Sequence, residues 1–478
     1  MNNLNIQEHL LHKTVLFAAI GITLYAILNP ISTRGGELLF TIPLTLCLCM
    51  LAFPKLLTYQ RDGWGLKVFY TVVLVRYLLI PLVTVMEGQF ATGGLDCYSL
   101  FRYSDPKSYR YAIISMDIEL LTSMFVINKY YLHDYKKYYE IIPKPELVSL
   151  RPLGICLSLF FLYVMFARGG VGSFIRIGIV TEGLETEMQT GQHGIDVMII
   201  KPLMGFLVIT VSGFFGNQYK KNRSFLNLII PLLVAFCSCI LIVGNNRMQM
   251  VYLALCAISV LSAAFPAYKR LITSILLPTM VAIIVSFTLF KQFGVVVGQD
   301  SVSTTDSNDW VTGLTAYACG PENTAHIFDN QIARGHNENF AVFMSDIINY
   351  NTTTSLPGLS TLRSYVKGTP MTFDYAVDGT EMVSTSGLCA FYGHGFWGGL
   401  LLVFVAYFFI ARLLVYFEVR SKVSSDLASI YIFNWCSILF GISMCYCVLT
   451  IWDNVTYVPV WIWALIKINN FGKNENKH

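Results

Sequence analysis

Apolar residues run along this chain in long blocks, separated by shorter polar links, with little alternation or helical spacing inside a block. Blocks of about twenty apolar residues predict membrane-crossing helices. Twelve are read, at residues 14–32, 37–57, 66–87, 108–130, 152–167, 197–215, 225–243, 248–266, 271–293, 386–410, 427–450 and 454–468. The last is short and carries Trp461 and Trp463, side chains suited to a membrane–water interface. The polar start MNNLNIQEHLLHK precedes a first block long enough to cross, which predicts an uncleaved anchor. The expected class is therefore an all-α polytopic membrane protein.

Composition agrees. Of the 478 residues, 55% are hydrophobic and 13% charged, about half the charged share of an ordinary soluble domain. The larger part of the 33 Lys and Arg falls in the alternate links that include the N-terminus. That bias predicts both termini in the cytoplasm. Three links on the opposite side are large: 88–107, 168–196 and 294–385. The chain is expected to divide into a bundle over 1–293, an extracytoplasmic subdomain over 294–385, and a second bundle with a cytoplasmic tail over 386–478. The 294–385 link, about ninety residues, is far longer than usual and rich in aromatic and acidic residues, so short helices lying over the membrane core are expected there. Phosphate-loop and dinucleotide fingerprints are absent, as is any basic–aromatic array for nucleic acid. Most cysteines sit in apolar blocks; a Cys97–Cys319 disulfide is one option outside them.

Charges inside apolar blocks need a reason. Arg76 in VLVRYLLIPLV, with Asp117 and Glu119 in SMDIELL, fall at similar depth. An Arg76–Asp117 ion pair, or an Arg76 open to an anion, are the two readings, and Pro81 would loosen the backbone nearby. Arg247 in GNNRMQM sits at a membrane surface, where its planar fork suits a diphosphate or simply snorkels. Arg168 and Arg176 lie in a Gly-rich link that reads as re-entrant or interfacial. In GPENTAHIFDNQIARGH, Pro321 and Glu322 predict a helix start and Arg334–Gly335 its stop. At helical spacing Glu322, His326 and Asp329 share about 60° of arc. That stripe is a general-base arrangement, an allowed though not specific metal-ligand spacing, or a solvated face.

Four patches carry a resemblance: VRYLLIPLV, GNNRMQMVYLALCAISV, YACGPENTAHIFD and FYGHGFWGGLLLVFVAYFF. With the many-span layout and one large late loop, the chain resembles the Wzy-type polymerases of lipid-linked oligosaccharide repeat units. The resemblance implies a GT-C-like membrane glycosyltransferase in a bacterial cytoplasmic membrane. It would move a growing glycan from undecaprenyl diphosphate onto the next carrier-linked repeat at the outer face. In that frame Arg247 and Arg168, with Arg76 and Arg334, would hold the diphosphate. His326 or Glu322 would deprotonate the acceptor hydroxyl, and Tyr317, Trp310 and Tyr375 would stack on sugars. Expected partners are the carrier-linked oligosaccharide, membrane lipids and a chain-length regulator protein, with no nucleic acid. No Asp-x-Asp motif occurs in NPISTRGGE, so a metal-assisted design is not expected, nor is a cofactor. Gly393 stands where the family often has an acid, and Gly393, Gly395, Gly398 and Gly399 read as close-packing positions. A lipid-linked glycan flippase and an O-antigen ligase are the competing functions.

Overall fold

The structure, a computed structural model of the chain, describes residues 2–31, 35–54, 63–88, 90, 105–139, 147–148, 150–169, 195–240, 247–279, 281–282, 314–315, 318–333, 340–350, 383–393 and 395–471. Among these residues there are fifteen α-helices and no β-strand. The first five are α1 (Asn2–Leu28), α2 (Thr41–Ala52), α3 (Trp64–Leu74), α4 (Ile80–Glu87) and α5 (Pro106–Tyr139). Next come α6 (Pro152–Gly169), α7 (Ile195–Asn222), α8 (Leu226–Ile240), α9 (Arg247–Ala264), α10 (Pro321–Ala333) and α11 (Phe340–Tyr350). The last four are α12 (Thr385–Tyr392), α13 (Phe396–Val423), α14 (Leu427–Gly441) and α15 (Val448–Asn469). Four stretches are long and apolar enough to cross a membrane by themselves: Leu10–Leu28, Trp64–Glu87, Pro106–Lys137 and Phe396–Val423. On α13 the exposed Trp397, Leu401 and Phe404 lie along one side, an uncovered apolar stripe of the kind that lipid covers.

Two expected spans are broken. The apolar block 386–410 predicts one helix, but one helix stops at Tyr392 and another starts at Phe396. Gly395 takes φ +92°, and a Cβ at Gly393 would collide with the backbone of Gly399. A side chain at Gly399 would meet the Tyr111 ring at 3.0 Å. These glycines let the two helix ends touch through their backbones and let the Tyr111 ring of α5 lie against them, in keeping with the close packing their sequence suggested. Residues 427–450 are also interrupted, because α14 ends at Gly441 and α15 begins at Val448. A Cβ at Gly441 would press on the carbonyl of Gly65 at 2.5 Å.

The chain forms two compact units. The first joins Met1–Tyr138, Thr305–Val419 and Cys436–Asn454. Here α5 is the spine. The Asp105 carboxylate accepts from the Lys107 N–H (2.8 Å) in its first turn, and Arg110 pairs with Glu37 (2.5 Å) at the exposed end. At the other end Arg412 binds Asp134 (2.5 Å) and stacks 4.9 Å from the Tyr130 ring. The buried Glu418 carboxylate accepts from the Gly65 N–H (3.1 Å), which caps α3.

The second unit joins Tyr139–Thr304, Arg420–Trp435 and Val455–His478. Helices α7, α8 and α9 pack on one another. Gly205 lies against Tyr431 and Ile462, Tyr252 meets Trp435 edge-on at 5.4 Å, and Asn469 accepts from the Arg151 N–H (3.0 Å). Within it Lys201 faces the Tyr457 ring at 5.8 Å.

Candidate functional site

The polar centre of the first unit grows out of the segment VRYLL. Residues Val75–Leu79 form a π-helical turn between α3 and α4, and the Ile80 N–H reaches back to the Val75 carbonyl. Pro81 follows at the start of α4 and has no N–H to continue the α-helical ladder. A π-turn widens the helix and re-aims its side chains. Here it turns Arg76 and Tyr77 inward, about halfway along Trp64–Glu87.

Arg76 is 0% exposed, and its partner is Glu119, also 0% exposed, rather than Asp117. Asp117 and Glu119 are two residues apart on α5, so they project from different sides of the helix. Asp117 instead accepts from the Thr41 hydroxyl (2.7 Å) at the first turn of α2, where a helix N-terminus favours a carboxylate. Glu119 accepts from Arg76 and, through its other oxygen, from Ser386 in the first turn of α12. The Tyr77 hydroxyl is shared between Glu119 (2.8 Å) and the Met116 carbonyl (2.6 Å).

The break between α14 and α15 is packed into this centre. Non-helical backbone inside an apolar bundle must find partners for its carbonyls. Four consecutive ones do so through side chains. Ser443 accepts from Tyr407 (3.3 Å), Met444 from Arg76 (2.5 Å), Cys445 from the Cys319 thiol (3.3 Å) and Tyr446 from Thr385 (3.0 Å). The Cys445 thiol returns a bond to the Ala318 carbonyl (3.3 Å). Cys319 is a buried thiol; Cys97, its expected partner, lies outside the described residues.

Helix α10 begins at Pro321 and ends at Ala333, as its caps predicted, but of its polar stripe only Asp329 is half-exposed, while Glu322 and His326 are buried. Glu322 is 1% exposed and His326 8%. The helix runs antiparallel to α5. Near its end, Asp329 accepts from Ser108 and from the Asp105 N–H (3.3 Å), and Phe328 stacks on Tyr111 at 4.3 Å. Eight residues earlier, about 12 Å along the axis, Gly320 approaches Ile80, one turn beyond Arg76. The start of α10 therefore sits level with the Arg76–Glu119 pair. Helix α12 lies beside it, with Thr324 on Ser384 (3.0 Å) and Gly387 against Ile327. Helix α11 closes the group: Tyr392 donates to the buried Asp346 (2.6 Å), and Val342, Phe343 and Ile347 pack on the Ile327–Leu388 cluster.

Of the residues singled out by sequence, Arg76, Glu322 and His326 thus share the first unit, around the inserted start of α10. Arg168 and Arg247 belong to the second unit, in α6 and at the first position of α9, with side chains outside the described residues. Arg334, Tyr317, Trp310 and Tyr375 also lie outside them. Sequence reading missed Tyr77, Ser386 and Tyr407. Its available signals were a Tyr beside the buried Arg, the polar triple Ser384–Ser386 at the head of an apolar run, and Gly441 and Ser443 inside another. Among the described residues no cluster of His, Cys, Asp and Glu could hold a metal ion.

Chemically, the arrangement shelters a carboxylate and an imidazole on one helix inside an apolar bundle, beside a charged pair. Comparison of the chain with protein-family models, with characterised proteins and with solved structures gives no match.

Proposed function

We propose that this chain is a membrane glycosyltransferase that polymerises undecaprenyl-diphosphate-linked oligosaccharide repeats at the outer face of a bacterial cytoplasmic membrane. It would cross that membrane about twelve times in a GT-C-like layout, with both termini cytoplasmic. One observation carries the proposal: the polar helix α10, with Glu322 1% and His326 8% exposed, is driven into the bundle rather than laid on its surface. Glycosyl transfer to a sugar hydroxyl competes with transfer to water, and a sheltered base favours the sugar. In this reading His326 or Glu322 takes the acceptor proton, a contribution of about 10²–10⁴-fold in rate. Arginines at the outer face hold the diphosphate as forked cations. Trp310, Tyr317 and Tyr375 offer faces for sugar rings.

Deletion in the host, with surface glycan sized on gels, tests the proposal. Single repeats on the terminal acceptor support a polymerase. Accumulated carrier-linked long chains point to a ligase instead. Reconstituted His326→Ala enzyme is expected to turn over carrier-linked repeats about 100-fold or more slowly, with carrier binding unchanged; an unchanged rate removes His326 as the base.

A second reading, a lipid-linked glycan flippase, is favoured by the helix breaks around a buried charge, a pattern also found where transporters bind their cargo. It predicts that deletion blocks export of even a single repeat.

A further inference from the structure

Two basic turns meet at one end of the second unit. The first joins α7 to α8. Asn222 closes it, because its Oδ1 accepts from the Asn227 amide (2.7 Å) and from the Ser224 N–H (3.3 Å). Arg223, inside this turn, holds φ at +49°, a left-handed position usually given to Gly or Asn because a Cβ is strained there. The second turn follows α9, where the 3₁₀ segment Pro266–Tyr268 leads into Lys269 and Arg270. Aromatic rings join the two. Tyr219 lies 5.5 Å from Phe265 and 5.6 Å from Tyr268, and Phe225 lies 5.5 Å from Tyr268.

Lys220, Lys221, Arg223, Lys269 and Arg270 therefore belong to one surface, and all five are exposed. None of them pairs with an acid among the described residues, and the sequence has no Asp or Glu between Asp196 and Asp300. The charge is not cancelled locally, so it calls for an anion from outside. An apolar face adjoins it. On α8 the exposed Leu226, Ile229, Ile230 and Leu233 share one side, starting three residues after Arg223, and the exposed Leu271 and Ile275 follow the second turn. Lipid chains cover such a face, which puts the cations at the depth of the headgroups. A soluble acidic partner would meet the charge but leave this apolar edge bare.

We propose that the two turns form one docking patch for anionic phospholipid headgroups of the leaflet they face. The aromatic joint holds cations from both turns on one surface, so a headgroup phosphate meets both sets at once. A bias of Lys and Arg between links depends on their number; this patch depends also on their placement. It is independent of the glycan reading and needs only that α8 faces lipid.

The full chain in a neutral detergent tests the patch, titrated with short-chain phosphatidylglycerol, short-chain phosphatidylcholine, inorganic phosphate or a poly-glutamate peptide while thermal unfolding is followed. Phosphatidylglycerol should raise the Tm at the lowest concentration. Lys220→Gln/Lys269→Gln removes one exposed cation from each turn and should weaken phosphatidylglycerol about tenfold or more, at roughly fivefold per cation. Lys13→Gln/Lys136→Gln, which removes two exposed cations from other helices, should leave it unchanged. Tyr268→Ala keeps every charge but uncouples the turns, and should weaken it severalfold; the Gln variants serve if Tyr268→Ala fails to fold. Phosphatidylcholine acting at the same concentration, or equal losses in the two Gln variants, would mean diffuse charge and overturn the proposal. Unchanged affinity in a folded Tyr268→Ala would overturn it too, because the turns would then act separately. Inorganic phosphate acting at the same concentration would assign a free-anion site, and tighter poly-glutamate binding an acidic protein partner; either result overturns the lipid assignment.

Discussion

Replacing Glu119 by Gln asks what the buried pair is worth. Both partners are 0% exposed, so Gln leaves a guanidinium charge with no counter-charge in the same place. Breaking such a pair costs about 3–5 kcal/mol. Gln can still accept from Arg76 and Tyr77, and its amide faces a Ser386 hydroxyl able to turn and accept. The loss should therefore lie at the lower end, about 3 kcal/mol. The double variant Arg76→Met/Glu119→Leu behaves differently. It orphans the Met444 carbonyl and the Ser386 hydroxyl, about 1–3 kcal/mol each, yet removes two buried charges whose apolar replacement is often stabilising by about 1–4 kcal/mol. It should fold within about 2 kcal/mol of wild type. Denaturant unfolding in nanodiscs, with Tyr and Trp fluorescence as the probe, measures all three proteins. A Glu119→Gln protein within about 0.5 kcal/mol of wild type, as for an ordinary surface change, would refute the reasoning. A double variant less stable than Glu119→Gln alone would also refute it.

Other positions give separate checks. Gly393→Ala should lower the Tm, because its Cβ meets backbone of Gly399 that cannot give way, at a cost of about 1–3 kcal/mol. Gly21→Ala in α1, with nothing within 4 Å, should instead be neutral or stabilising by up to about 1 kcal/mol. Asp329→Ala should destabilise by about 0.5–2 kcal/mol through loss of its bonds to the head of α5, read by the same unfolding assay. Cys319 should resist a membrane-permeant maleimide in the folded protein and react on denaturation, since its side chain is fully buried.

The sequence reading reached the helices whose signals are local. Long apolar runs located α1, α3–α4, α5 and α13, and Pro321 with Gly335 bracketed α10 within two residues. Capping depends on a few neighbouring residues, so it is readable from them. Partner choice is not. Arg76 could face Asp117 or Glu119 at nearly the same depth, and only the π-turn and the rotation of α5 select Glu119. Burial of α10 was hidden for a related reason. A stripe of Glu, His and Asp looks solvated unless distant elements cover it; α12 and the donors to Asp329 from the head of α5 come from sixty to more than two hundred residues away. The break at Gly441–Cys447 was masked because its residues are as apolar as a helix. What sustains it is four side chains taking its carbonyls, and none of them is close in sequence.

The insertion of α10 beside α5 is the central claim, and cysteine crosslinking in native membranes tests it most directly. Ala318, Ile80 and Cys445 pack in one buried cluster. In a background lacking the native cysteines, Ala318→Cys combined with Ile80→Cys should form a disulfide on mild oxidation, and Thr324→Cys should be shielded from aqueous thiol reagents. Failure of the 80–318 pair to crosslink, with Thr324→Cys freely labelled from water, would place the helix on the membrane surface and contradict the account.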